Sequence, residues 1–171
     1  MFTLQENKGK IETSSIGTAI NPTLAMINHS CDSNYGRVWD LNKNIVKAFA
    51  TRNIKKGDEI TDGYSGVFLN VPQDDREIIH SRYHFKCACI ACKQEWPLKN
   101  ALPNKIPNSK DKNVNKLKSL LKQKEYAKLS PTEKLKILRE TLDLAYAVLK
   151  KPHLIICNVE NEFYNQLRLM Y

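Results

Sequence analysis

Three cysteines within six residues, Cys87, Cys89 and Cys92 in "YHFKCACIAC", constrain this chain more than any other feature. Free thiols this closely spaced would be an oxidation liability, whereas a C-x-C-x-x-C array suits a tetrahedral zinc ion, which takes thiolate sulfur at about 2.3 Å. Three ligands do not close a structural site. The fourth must come from elsewhere, and the candidates are Cys31, His84, His29 and Cys157. His84 stands close enough to the array to make chelation strained, and Cys157 lies far along the chain, so Cys31 in "INHSCDSN" is the preferred partner. That pairing would tie the loop after the apolar run 24–27 to the segment around residue 85, bringing Asn28, His29, Tyr64, Tyr83 and Phe85 near one another. Taken singly, the two tyrosines read as core aromatics, Asn28 as a turn residue and His29 as a satisfied polar residue.

The number of cysteines, five, is odd, and Met1 is not followed by a basic region and apolar core of signal-peptide type, so metal ligation inside the cell is expected over a disulfide framework. No stretch approaches the roughly 18 apolar residues that span a bilayer. The net charge of +9 is uneven: residues 1–100 carry 13 Lys/Arg against 11 Asp/Glu, and residues 101–171 carry 14 against 7. A basic tail can attract nucleic acid. Here no aromatic residues interleave the lysines, so a solvated helix face is the favoured reading and direct nucleic-acid binding is not expected.

Along the chain, residues 1–20 are weakly patterned, and Pro22-Thr23 before Leu24 reads as a short helical turn or a buried strand entry. Segments 37–41 and 45–51, joined by Asn42-Lys43-Asn44, read as a hairpin whose partial alternation suggests burial on both faces. Gly57 in "NIKKGDEIT" marks a tight turn before a strand ending near Tyr64. A helix is expected over 72–83, with Pro72 at its start, Asp74, Asp75 and Glu77 near its N-terminal end, and Ile78, Ile79 and Tyr83 as its apolar face. Three prolines between Trp96 and Asn113 read as a linker, and helices are expected over 115–128, 133–150 and 158–170. Each has one apolar face, so an antiparallel helical array follows.

Taken together and in order, "NHSCDSN", "IKKGDEITDGYSG" and "RYHFKCACIAC" resemble the C-terminal half of a SET domain with its post-SET zinc motif, most closely in the SET and MYND (SMYD) family. The resemblance is strong over residues 15–95 and loose in the tail. It implies an S-adenosylmethionine-dependent protein-lysine N-methyltransferase acting on a histone or non-histone protein. By this resemblance Asn28 and His29 hold the cofactor, the first through its side chain and the second largely through its backbone. Tyr64 and Tyr83 are implied as catalytic-channel tyrosines, Tyr64 also touching the cofactor, and Phe85 as the aromatic that packs on the adenine. Cys31, Cys87, Cys89 and Cys92 are implied as the zinc ligands, in agreement with the spacing argument. Ser33 stands where the family usually has proline.

The implied fold is α+β: a partial SET fold of short strands over residues 1–86, a zinc-bound post-SET segment at 87–97, a linker at 98–113 and a tetratricopeptide-like helical tail at 114–171. The glycine-rich cofactor strand-turn of a SET domain and the cysteine-rich MYND module are not found, "NKGK" at 7–10 being no substitute, so a fragment or truncated form is expected. Cytoplasmic and nuclear locations both fit. The alternative is a non-catalytic zinc-containing interaction module that meets a protein partner through its helical tail.

Overall fold

The computed structural model describes residues 2–7, 10–15, 20–40, 43–64, 67–123 and 126–170. It opens with an antiparallel hairpin, β1 (Phe2–Asn7) and β2 (Lys10–Ser15), in register from Phe2↔Ser15 to Asn7↔Lys10. The sequence carries only a faint period-two signal there, Phe2 and Leu4 alternating with Thr3 and Gln5, within a stretch that is weakly patterned as a whole. Lys8 and Gly9 of "NKGK" lie outside the described residues.

A one-turn helix, α1 (Pro22–Ala25), follows, with Pro22 in its first turn and the Asn21 side chain accepting from the Leu24 N–H at 3.1 Å. It delivers the chain to β3 (Asn28–His29). Next come β4 (Tyr35–Asp40) and β5 (Ile45–Ala50), paired antiparallel from Tyr35↔Ala50 to Asp40↔Ile45, as the hairpin reading expected. Asn42 of the expected turn lies outside the described residues. Burial on both faces holds for β4, but β5 leaves Ile45, Ala48 and Ala50 exposed. What sets β4 apart is the cover it receives from the C-terminal helix, Leu154–Leu169, whose Tyr164 hydroxyl donates to the Arg37 carbonyl.

Gly57 takes φ +95°, the turn expected of it, and the chain re-enters as β6 (Thr61–Asp62), parallel to β3. The buried Asn34 fastens this region by acting as a strand in miniature. Its Nδ2 donates to the Glu59 carbonyl at 2.9 Å, and its Oδ1 accepts from the Thr61 N–H at 2.9 Å.

The helix expected over 72–83 is α2 (Gln73–Ser81), but its buried face is not the apolar one. Ile78 is 61% exposed and Tyr83 52%, while Arg76 at 1% and His80 at 0% point inward. For Arg76 the inversion follows from what α2 packs against: a group of thiols, one of which, Cys92, lies 3.8 Å from its Nη2. A short α3 (Ile90–Lys93) carries the end of the cysteine array.

The tail contains α4 (Lys112–Leu121), α5 (Pro131–Val148) and α6 (Leu154–Leu169). Asp111 caps α4 by accepting from the N–H groups of Asn113 and Val114, and the helix stops at Leu121, short of the expected residue 128. A separate 3-10 turn at Tyr126–Lys128 replaces its last stretch. Ser130 and Glu133 form a capping box at the start of α5. Leu117 of α4, Ala145 of α5 and Ile156 of α6 share one cluster, and Leu138, Leu142, Val159 and Phe163 form a second between α5 and α6. No helix among the described residues is long and apolar enough to cross a membrane.

The tail does not stand apart from the strands. Cys157 of α6 is buried in the same cluster as Cys31, Phe68, Cys87, Cys92, Trp96 and Leu102. Tyr164 of α6 lies over β4, its hydroxyl donating to the Arg37 carbonyl at 3.1 Å. Gly36 makes that approach possible, since a Cβ there would sit 2.7 Å from the Tyr164 ring and 2.8 Å from Phe49. Gly36→Ala is therefore expected to lower stability by about 1–3 kcal/mol through overpacking. Urea denaturation checks this, and trimming Tyr164 to leucine in the same chain should recover part of the loss.

Candidate cofactor and metal site

Two loops and one helix build the site. The end of β3 presents Asn28, His29 and Cys31, the chain after β6 presents Tyr64, and the exit of α2 presents Tyr83, Phe85 and the cysteine array. The sulfurs of Cys31, Cys87, Cys89 and Cys92 all lie within 4.8 Å of one another. Cys31 Sγ is 3.9 Å from Cys87 Sγ and 3.5 Å from Cys92 Sγ. A tetrahedron with bonds of about 2.3 Å has edges of about 3.8 Å, so these spacings fit a four-thiolate zinc site. The cluster could hold zinc. Of the other candidates for the fourth ligand, Cys157 is packed in the apolar cluster outside this group, and His84 is exposed in a left-handed backbone conformation, φ +59°.

The thiols' protonation describes the same problem electrostatically. Cys89 is held down to about 3, chiefly by the hydrogen bond from the Cys31 thiol, with burial opposing. Cys31 is pushed far up by that same bond and by burial, and burial pushes Cys87 up to about 11. Charge is thus favoured on Cys89 and disfavoured on Cys31 and Cys87. A divalent cation at the centre would let all four ionise. Arg76 partly takes that role already, with Nη2 3.8 Å from Cys92 Sγ and Nη1 donating to the Val71 carbonyl at 2.5 Å.

His29 stands between the metal side and a cavity. Its Nδ1 accepts from the Tyr64 N–H at 3.1 Å, so the neutral ring carries its proton on Nε2, which faces Cys31 Sγ at 3.3 Å. Burial, and then the neighbouring His80, lower its pKa to about 4. On the other side a cavity of about 720 Å³ is lined by Asn28, Glu59, Tyr64, Tyr83 and Phe85 among others. The rings of Tyr64 and Tyr83 are 5.3 Å apart, and those of His29 and Phe85 5.8 Å. Asn28 Nδ2 donates to Glu59 Oε1 at 2.7 Å, and the Tyr64 hydroxyl donates to the Ile27 carbonyl at 2.6 Å.

Nine of the residues singled out from the sequence are thus brought to one place, Asn28, His29, Tyr64, Tyr83 and Phe85 around the cavity and Cys31, Cys87, Cys89 and Cys92 in the thiol cluster, while the alternative ligands His84 and Cys157 are not among them. Sequence reasoning missed Arg76, His80 and Glu59. The apolar-face reading of α2 rests on Ile78, Ile79 and Tyr83 and says nothing of the first two; the usable signal is their i, i+4 spacing, which places them on one face.

Comparison with known proteins points the same way. The SET domain family model matches residues 2–65, beginning before the stretch in which the resemblance is strongest. The histone-lysine N-methyltransferase SET5 of Candida albicans is 30% identical over 116 residues, covering 67% of this chain and 24% of that protein. Histone-lysine N-methyltransferase SMYD3 of Mus musculus is 29% identical over 84 residues, covering 49% of this chain and 19% of its own. Residues 2–65 thus match a SET domain, and the chain is similar to SMYD-type SET-domain proteins. A putative SET domain-containing protein, L678 of Acanthamoeba polyphaga mimivirus, is 31% identical over 125 residues, covering 70% of this chain and 48% of its own. The chain therefore spans less than half the length of each of these relatives. In this SMYD-like chain, Cys87→Ser is expected to abolish stoichiometric metal retention and to unfold residues 83–95. Metal content after desalting and amide exchange of that segment check it; unchanged values for both would contradict the arrangement.

Proposed function

We propose that this chain carries the cofactor- and zinc-binding part of an S-adenosylmethionine-dependent protein-lysine N-methyltransferase, as a fragment or truncated form of a longer SMYD-type enzyme. In this reading residues 1–86 are the later part of the SET domain, 87–97 the zinc-bound post-SET segment, 98–113 a connector and 114–171 a tetratricopeptide-like region open to a protein partner. The supporting observation is the cavity that gathers Asn28, His29, Tyr64, Tyr83 and Phe85 beside the four-thiol cluster. A concave wall that sets the rings of Tyr64, Tyr83 and Phe85 among polar groups suits an adenosyl ligand.

The cofactor supplies an electrophilic sulfonium methyl group. The chain's own residues would then hold and orient. Asn28 and His29 would hold the cofactor, with Phe85 stacking on its base. Tyr64 and Tyr83 would line the path of a target lysine, excluding water and lowering the amine's pKa by desolvation so that its lone pair is free to attack. The Tyr64 hydroxyl, which donates its own proton to the Ile27 carbonyl, is suited to orienting that amine and not to taking its proton. Zinc held by Cys31, Cys87, Cys89 and Cys92 would fix the wall that carries His29 and Phe85. The substrate class is a protein lysine on a histone or another protein, and the location cytoplasmic, nuclear or both.

A second reading, a non-catalytic zinc-containing interaction module, is favoured by one observation. Asn28 and Tyr64 already spend their polar groups internally, on Glu59 and the Ile27 carbonyl. Calorimetric titration of S-adenosylmethionine into the zinc-loaded, folded chain separates the two readings. Saturable binding supports the enzyme-derived reading, and its absence from a folded chain supports the module. Where binding occurs, Tyr64→Phe is expected to leave cofactor affinity within about threefold while lowering methyl transfer by about 10²-fold, the scale of one lost orienting group. Unchanged turnover with lost binding would contradict the role given to Tyr64.

A further inference from the structure

His80 has no place in the reading above. It is fully buried on the inner face of α2, and neither ring nitrogen makes a hydrogen bond. A buried imidazole with both nitrogens unsatisfied is costly. Its ring lies 4.2 Å from that of His29, centroid to centroid, and stacks on Phe85 at 5.3 Å with an interplanar angle of 22°. Its ligating nitrogen lies within 4.8 Å of those of His29, Cys31 and Cys87.

From this we infer a second ligand set, His29–Cys31–His80–Cys87, which overlaps the four-cysteine set by sharing Cys31 and Cys87. Two imidazoles and two thiolates suit the same class of divalent ion as four thiolates, zinc above all. The charge differs. Four thiolates around a divalent ion leave a net −2 inside the protein, offset in part by Arg76, whereas two thiolates and two neutral imidazoles leave none and cost less to bury. An ion can pass between the sets while keeping two of its bonds. His80 gives up nothing on binding. His29, to bind through Nε2, moves its proton to Nδ1 and releases the hydrogen bond from the Tyr64 N–H. Occupation of the second set is thereby felt at Tyr64, on the cavity wall.

The inference rests on the zinc reading of the cysteine cluster, which the wild-type arm tests by itself through a four-sulfur Co(II) spectrum. The test is Co(II) loading of the whole chain in Cys89→Ala/Cys92→Ala, with and without His80→Phe, and of His80→Phe alone. The double variant is expected to retain one Co(II) per chain, with ligand-field bands at shorter wavelength and weaker sulfur-to-metal charge transfer than wild type. The Tyr64 amide resonance should shift on loading. Adding His80→Phe should weaken that binding at least tenfold, while His80→Phe alone leaves the wild-type spectrum unchanged. Cys89→Ala alone, which spares the buried Cys92, covers failure of the double variant to fold and is judged by the same dependence on His80. Absence of Co(II) uptake without Cys89, or uptake indifferent to His80, overturns the second set.

Discussion

Four sulfurs within 4.8 Å in a buried space cannot all be anions without a cation among them, and much of this structure is arranged around that constraint. It explains why α2 turns Arg76 inward and leaves Ile78 in solvent, against the ordinary rule for an amphipathic helix. It also explains the enclosure of the cluster by Phe68, Trp96, Leu102 and Cys157, drawn from three stretches of sequence. Excluding water strengthens any metal–thiolate attraction and equally strengthens the repulsion among uncompensated thiolates.

The same cluster shapes the cavity beside it. His29 faces Cys31 with one nitrogen and receives the Tyr64 backbone N–H with the other, so a single ring separates the thiol cluster from the cavity. Phe85, two residues before Cys87, stacks on His80 and also lines the cavity. A metal held by the thiols would stiffen this shared wall, as metal ligands and their supporting shell usually do.

Much of this was legible in the sequence because the informative residues are chemically specialised. A cysteine triplet demands a partner, and Cys31 was identified on spacing before any geometry. Gly57, the Ser130–Glu133 box and the hairpin at 35–50 each left a local signature that the backbone obeys. What failed was reasoning by average behaviour. Periodicity assigned the inner face of α2 to isoleucines, because it has no knowledge that the neighbour is a thiol cluster. It also ran α4 through to residue 128, although the chain breaks after Leu121 and forms a separate turn. The hairpin at the start was overlooked because its alternation is shared among small and polar residues. The contact of α6 with β4 is non-local and depends on Gly36 lacking a side chain, which no local pattern announces.

Asp32 follows Cys31 directly and is held by Arg52 at 3.2 Å and by Lys151 at 2.7 Å, both of which also reach Glu160 of α6. One peptide bond thus separates a sulfur of the metal cluster from an alternating, largely enclosed ring of two acids and two bases that clasps the helical tail. The hold of α6 on the strands thus ends one residue from Cys31, so the helical region and the thiol cluster share one short stretch of backbone.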